Sequence, residues 1–221
     1  MQKESRKLRE FRRREQEILD TALRLFLEQG EDSVTVEMIA DAVGIGKGTI
    51  YKHFRSKAEI YLRLLLDYER ELAELFSSED ISRDQEALSR EYFAFRIRDP
   101  QRSRLFDRFE EKVVKSNQVP EMLAELRQVR NANFEKVHEL IKLRISDGKL
   151  EDVPPYFHYM AAWALVQGAV SLYHSPLWRE GIADEDAFFR FLMDIGVRMG
   201  NRSKRRRDAD AAEPKPSSDG Q

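Results

Sequence analysis

The stretch from Val36 to Arg55 reads VEMIADAVGIGKGTIYKHFR, and its spacing predicts two short helices joined by a tight turn. Ala40 is small enough to lie where the two helices cross most closely. Gly44 follows four residues later and supplies the left-handed backbone that ends a helix. The apolar residues expected to hold the second helix against the first are Ile39, Val43, Ile45 and Ile50. The stretch therefore predicts a helix-turn-helix.

The opposite face of the second helix is small and polar, which suits the major groove of B-DNA, about 12 Å wide. Residues 46–57 carry four basic side chains and no acidic one. We expect some of these side chains to reach base edges and others to bind phosphates, with a hydroxyl from the cap of the preceding helix close to the DNA backbone. The expected base-edge residues are Lys47, Thr49 and His53, and the expected phosphate-side residues are Thr35, Tyr51, Lys52 and Lys57.

Upstream, apolar residues at helical spacing predict a helix from about Arg14 to Gln29, which Gly30 ends. Residues 1–13 are expected to form a basic arm that follows phosphates or enters the minor groove. An ordinary solvated charged face is the alternative for either basic patch taken alone.

Downstream, Ser56-Lys57-Ala58-Glu59 has the pattern of a capping box and begins a long helix that reaches about Phe76. Prolines and glycines then punctuate five further predicted helices, at roughly 84–97, 101–116, 121–147, 155–174 and 184–199. The fold class is therefore all-α. We expect a three-helix DNA-binding domain at 14–62, a helical-bundle domain at 63–200, and a disordered tail at 201–221, which lacks any hydrophobic pattern.

Composition narrows the class of protein. Hydrophobic residues make up 41% of the 221 residues, as in a globular protein, and the net charge is only −2. The absence of cysteine excludes disulfides and thiolate metal sites. Neither a signal peptide nor a run of about 18 apolar residues is seen, so we expect a cytoplasmic protein with no membrane partner.

The order and spacing of residues 14–62 resemble the DNA-binding domain of the TetR family of repressors. The resemblance is carried by Ala22 to Phe26, Gly30, Thr35, Ile39-Ala40, Gly44-Ile45, Gly48 to Tyr51, Phe54, Ser56-Lys57 and Ile60. It implies a homodimer on a palindromic operator and a C-terminal domain whose small-molecule ligand releases the DNA. Gly46 departs from the pattern, because many members have Ser or Thr there to cap the recognition helix.

The same resemblance implies a dimer interface on the last two helices. Two clusters support it: small residues that permit close helix approach, and apolar residues beyond what one buried face requires. These are Ala161, Ala162, Ala164, Gly168 and Ala169, and Phe188, Phe189, Phe191, Leu192 and Ile195. Burial within the monomer's own core is the alternative.

An effector pocket is expected among the central helices, and an apolar, aromatic or acyl-like effector would fit it. The expected ligand-binding residues are Tyr92, Phe95, Phe106, Phe109, Phe134, Trp163, Val166 and Tyr173. A cationic partner for an acidic group on the effector would come from Arg96, Arg98, Arg102 or Arg104.

Three other functions compete with this interpretation. Glu135 and His138 have the Glu-x-x-His spacing of a di-iron site, but no second copy exists, so we expect neither an enzyme nor a cofactor or metal. An activator, or a regulator without a ligand, would have the same sequence pattern. A helical adaptor would instead bind acidic partners through the basic residues Arg202 to Arg207.

Overall fold

A computed structural model describes residues 6–78, 81 and 87–202, and over this range the chain is all-α, as predicted. The described residues form ten helices, which we number in chain order. They are α1 (Arg6–Gln29), α2 (Val36–Val43), α3 (Lys47–His53), α4 (Lys57–Leu75), α5 (Ala87–Arg98), α6 (Pro100–Ser116), α7 (Pro120–Ser146), α8 (Pro155–Tyr173), α9 (Pro176–Arg179) and α10 (Glu185–Arg198).

Two of these helices differ from the sequence-based expectation. α1 begins at Arg6, so the described part of the predicted arm is helical and continuous with the first helix. The ring of Phe11, in this extension, stacks on His53 with centroids 4.1 Å apart, and this contact stabilises the added turns. α9 was not predicted, because Pro176 looked like a break, although proline is favoured at the first position of a helix. The predicted disordered tail lies outside the described residues from 203 onward.

The chain divides into two compact units, and the division falls inside α5 and inside α7. Unit 1 comprises residues 1–75 and 95–133, and unit 2 comprises residues 76–94 and 134–221. The boundary at 62/63 between a DNA-binding and a regulatory domain stays a prediction.

In unit 1 an aromatic cluster joins α1, α4 and α6. Tyr61 stacks on Phe109 with ring centroids 4.1 Å apart, and Phe26 meets the edge of Phe109 at 5.4 Å. Deeper along α4, Glu69 is buried and accepts hydrogen bonds from Arg130 at 2.8 Å and from the Asn133 amide at 3.1 Å. These contacts hold α4 between the first helix and the later ones of the same unit.

Unit 2 has its own core and a short strap. Val166, Ala169 and Val170 of α8 are buried with Leu192 of α10. The strap is an antiparallel bridge between Leu150 and Asn201, in which the Glu151 amide donates to the Gly200 carbonyl at 2.8 Å. None of the described helices is both long and apolar enough to cross a membrane.

Candidate DNA-binding surface and ligand cavity

The helix-turn-helix predicted from the sequence is confirmed in α2 and α3. Thr35 caps α2, its hydroxyl accepting a hydrogen bond from the Met38 amide at 3.2 Å. Gly44 ends α2 with φ at 75°, a left-handed conformation that favours glycine. Ala40 and Ile50 are fully buried, so the two helices pack closely and α3 turns its other side outward.

The start of α3 carries the one departure seen in the family pattern. Gly46 is the residue that precedes α3, and it makes no side-chain capping bond. The Thr49 amide donates instead to the Gly46 carbonyl at 2.7 Å. The first amides of α3 therefore receive no hydroxyl cap, although glycine is tolerated at this position.

The outward side of α3 presents Lys47, Gly48, Tyr51 and Lys52 to solvent, with Thr49 partly covered beside them. Lys47 pairs with Glu37 of α2, and its ammonium lies 5.8 Å from the centre of the Tyr51 ring. The hydrogen bond to Glu37 raises the pKa of Lys47, while partial desolvation opposes it. Sequence reasoning missed this carboxylate, because Glu37 lies outside the acid-free segment 46–57.

His53, which the sequence predicts to reach base edges, contacts another helix of the protein. Its ring packs on Phe11 of α1, and its Nδ1 is buried without a hydrogen-bond partner among the described residues. Burial lowers the pKa of this imidazole; the charge of Glu15 opposes the shift, and the charge of Arg14 adds to it. His53 thus ties the end of α3 to α1 instead of standing free on the groove-facing side.

Lys57, which the sequence predicts to bind a phosphate, also makes contacts within the protein. Its ammonium donates to the Glu31 carbonyl and lies 5.6 Å from the Tyr61 ring centre. Burial and the neighbouring Lys112 lower the pKa of Lys57. The capping box is present in a shifted form, since Ser56 Oγ accepts from the Glu59 amide at 3.2 Å while the Glu59 carboxylate accepts from the Arg55 amide at 2.6 Å.

Three of the predicted ligand-binding residues belong to the core of unit 1. Phe106 and Phe109 are buried, and Tyr68 meets the rings of Phe106 at 4.6 Å and Phe95 at 5.0 Å. Of the arginines suggested as partners for an acidic effector, Arg102 pairs with Glu71 at 2.9 Å and Arg96 with Asp107 at 3.4 Å. The aromatic rings thus pack within unit 1, and both arginines are paired with partly exposed carboxylates.

Unit 2 contains a partly open, mainly apolar cavity of about 50 Å³. Tyr92, one of the predicted ligand-binding residues, lines it. The lining residues are Phe76, Leu88, Ser89, Tyr92, Val137, Ile141, Arg144, Leu150, His158, Tyr159, Ala162, Gly196 and Met199. Sequence reasoning missed Arg144 and His158, because an arginine or histidine on a helix gives no local sign that it lines a cavity.

The other four predicted ligand residues lie at different places in unit 2. Phe134 packs edge-on against Tyr159 at 5.1 Å, directly behind the cavity lining. Val166 is fully buried, and Tyr173 lies under the Arg179 guanidinium at 4.5 Å. Trp163 is 41% exposed and does not line this cavity.

The two residues of the Glu-x-x-His pair differ in burial. Glu135 is exposed while His138 is half-buried with an unpartnered Nδ1. Within the described ranges, no group of three or more His, Asp or Glu side chains is arranged to hold a metal ion.

Comparisons with known proteins agree with this geometry. Residues 18–64 match the family model described as bacterial regulatory proteins of the tetR family. The HTH-type transcriptional regulator AcrR of Shigella flexneri is 42% identical over 60 residues, 27% of this chain and 28% of AcrR. The HTH-type transcriptional repressor AcnR of Corynebacterium diphtheriae is 36% identical over 66 residues, 30% of this chain and 35% of AcnR.

These sequence matches thus span about a third or less of the relatives' length. The likeness of the fold extends further. A crystal structure of a TetR/AcrR-family transcriptional regulator from Thermobifida fusca YX-ER1 superimposes with a TM-score of 0.62, covering 86% of this chain and 99% of that one at 21% identity. The helix-turn-helix segment of this chain, residues 18–64, is thus similar to that of the tetR family of bacterial regulatory proteins.

Proposed function

We propose that this protein is a cytoplasmic, homodimeric transcriptional repressor that binds a palindromic operator through α3 and leaves it when a small molecule binds. The observation that carries the proposal is the polar, solvent-facing side of α3, which is exposed while Ala40 of α2 and Ile50 of α3 are buried. A helix supported in this way enters the major groove with its N-terminal residues against base edges. The repressor named among its relatives supports the direction of regulation.

The contacts divide by chemistry. Lys47 and Thr49, in the first turn of α3, are assigned to base edges, while Tyr51 and Lys52 are assigned to phosphates. Thr35 uses its hydroxyl oxygen to cap α2, and its hydroxyl also hydrogen-bonds the Glu37 carboxylate, so a contact with a phosphate would replace that bond. Contact of Lys47 with a base edge weakens its pair with Glu37, and this exchange disfavours wrong sites where no such contact compensates.

The homodimer is assigned to α8 and α10. α8 exposes Tyr156, Phe157, Met160 and Trp163, and α10 exposes Phe191, which is a large apolar surface for a free monomer. A methyl group added at Gly168 would meet nothing within 4 Å, so this part of α8 is open to a second copy. Two copies of the α8–α10 pair would form a four-helix interface.

Release of DNA follows from the spacing that a dimer must keep. Half-sites one helical turn apart require recognition helices about 34–36 Å apart. We assign the motion to α4, whose Arg63 pairs with Glu15 of α1 at 3.1 Å and which therefore carries the DNA-binding helices with it. A ligand that favours a different α4 position changes the separation and loses one half-site.

Selection of genomic fragments by the purified protein tests the function. Wild type is compared with Tyr51→Ala, Lys52→Ala and Lys142→Ala, a lysine exposed on α7, at two salt concentrations. We expect a palindrome that wild type and Lys142→Ala enrich and the two α3 variants lose by tenfold or more. Salt-sensitive binding without an enriched sequence would overturn the proposal, because it indicates a nonspecific basic surface.

A further inference from the structure

Glu37 is an acidic side chain among the residues proposed to contact DNA. It lies in the first turn of α2, and its side chain is 52% exposed beside Lys47 of α3, with which it forms an ion pair. DNA carries a negative charge on every phosphate, so a carboxylate at this place opposes DNA binding in general. The carboxylate becomes favourable only where the DNA supplies a hydrogen-bond donor to it.

The partners of the Glu37 carboxylate indicate how it would respond to DNA. It accepts hydrogen bonds from the Lys47 ammonium, from its own backbone amide and from the Thr35 hydroxyl, which together lower its pKa. Lys47 and Thr35 are also the side chains assigned above to a base edge and to a phosphate. Contact with DNA therefore weakens both of these bonds to Glu37. A carboxylate oxygen that DNA covers without providing a donor loses free energy.

The base edges of the major groove offer two donors, the amino groups of cytosine and of adenine. In a C·G pair the cytosine amino group lies next to O6 and N7 of guanine, the acceptors that a lysine favours. A carboxylate and an ammonium side by side therefore match a C·G pair. In an A·T pair the acceptor N7 lies beside the amino group and repels the second carboxylate oxygen, and thymine adds a methyl group.

We propose that Glu37 and Lys47 together read a C·G base pair in each half-site, the carboxylate accepting from the cytosine amino group and the ammonium donating to guanine. The proposal rests on the proposed DNA binding through α3 and adds a specificity-determining residue on α2. Thymine or guanine in place of the cytosine presents acceptors to the carboxylate. The same side chain that selects C·G therefore rejects these pairs.

The test is a scan of every base pair in the half-sites of the selected operator, with affinities measured by fluorescence anisotropy on the full chain. We expect wild type to prefer C·G at one position by about tenfold, the scale of one base contact. Glu37→Gln should move the preference at that position toward A·T, because glutamine bonds both N6 and N7 of adenine. An unchanged preference for C·G in this variant would contradict the proposal.

Asp41→Asn is the matched control, because Asp41 is also exposed on α2 and the substitution removes the same charge. It should strengthen binding to all sequences alike and keep the preference for C·G. If Asp41→Asn shifts the preference as Glu37→Gln does, the effect belongs to the charge of α2 in general, and the specific contact is rejected.

Lys47→Ala separates direct reading from orientation of the lysine. This variant should relax the preference at the same position that Glu37→Gln changes. In the Lys47→Ala background, Glu37→Gln should still shift the preference from C·G toward A·T, because the carboxylate contacts the base itself. If Glu37→Gln changes no base preference in that background, Glu37 acts only by orienting Lys47, and the proposal is wrong.

The outcomes distinguish this proposal from the proposed function. An enriched palindrome at which Glu37→Gln leaves every base preference unchanged rejects reading by Glu37 and keeps the DNA-binding function. The absence of any enriched palindrome rejects the proposed function, and the reading of C·G with it. A shift from C·G toward A·T at one position of each half-site supports both.

Discussion

At the scale of single residues, Glu31 is the most connected carboxylate near the helix-turn-helix. It lies in the turn after α1, with its side chain 5% exposed, and pairs with Arg108 at 2.9 Å and Lys112 at 3.1 Å. Its backbone carbonyl accepts from the Tyr61 hydroxyl at 3.0 Å and from Lys57. Burial alone would raise the pKa of Glu31, but hydrogen bonds from its own amide and Lys112, with the charge of Arg108, leave it lowered.

Glu31→Gln should lower the free energy of unfolding by about 1–3 kcal/mol at pH 7, the value of hydrogen bonds to a charged group. Since the folded-state pKa lies below the unfolded value of about 4.3, the carboxylate stabilises the fold above that pH. Its contribution disappears as pH falls through the folded-state pKa. Urea denaturation of wild type and Glu31→Gln between pH 7 and pH 3 measures the difference in their free energies of unfolding, which should become smaller as the pH falls.

Glu28→Gln is the matched control, because Glu28 is half-exposed and pairs only across one helical turn with Arg24 at 3.2 Å. Such surface pairs contribute little to stability. If the two variants lose equal stability, the buried network around Glu31 is not what holds this turn.

At the scale of elements, the two glycines that flank the turn of the helix-turn-helix have different tasks. Gly44 adopts φ of 75°, whereas Gly46 adopts φ of −69°, which any residue accepts. An added Cβ would meet nothing within 4 Å at either position, so backbone conformation alone distinguishes them.

Gly44→Ala should therefore destabilise the protein by about 1 kcal/mol through its left-handed backbone. Gly46→Ser should instead stabilise it by a few tenths of a kcal/mol, because the hydroxyl caps the open amides of α3. Urea denaturation of the two variants and wild type measures whether each substitution lowers or raises the free energy of unfolding. A neutral Gly44→Ala would mean that the turn relaxes into another conformation.

The helical extension at the start of α1 covers His53 at the end of α3. Phe11→Ala should expose the imidazole and raise its pKa toward the ordinary value of about 6.5. A histidine with a lowered pKa favours the fold while neutral, so wild type should lose stability as pH falls below about 6.5, and the variant should lose less.

NMR titration of the imidazole protons measures this change, with His138, His158 and His174 as internal controls. An unchanged His53 titration would show that some group other than Phe11 shields the ring.

At the scale of the whole molecule, the apolar residues left on α8 require an explanation. α8 is apolar on nearly every side, a pattern typical of a helix covered on more than one face. Within the monomer, Val166, Ala169 and Val170 of α8 are buried, whereas Trp163 of the same helix remains 41% exposed. In the proposed homodimer, a second subunit covers this exposed surface.

Trp163→Glu should raise the dimer dissociation constant by about 100-fold or more, since a charge then replaces an aromatic anchor in a desolvated interface. Sedimentation velocity over a concentration series measures it, and operator affinity should fall in parallel. Val114→Glu, at an exposed apolar position of α6, is the control and should remain dimeric. A dimeric Trp163→Glu would exclude this part of α8 from the interface.

The helical class, the turn at Gly44 and the cap at Thr35 were readable from the sequence, because each depends on neighbours within about four positions. The sequence did not show which charged side chains would be buried. From the sequence, Lys57 is predicted to bind a phosphate. In the structure its ammonium donates to the carbonyl of Glu31, which lies 26 positions away in the chain. Nothing in the sequence around Arg144 distinguishes it from a surface arginine. In the structure it is buried and donates a hydrogen bond to Asn201, which lies 57 positions away in the chain. Such pairings depend on which distant segments the folded backbone brings together, and the local periodicity of the sequence does not predict this.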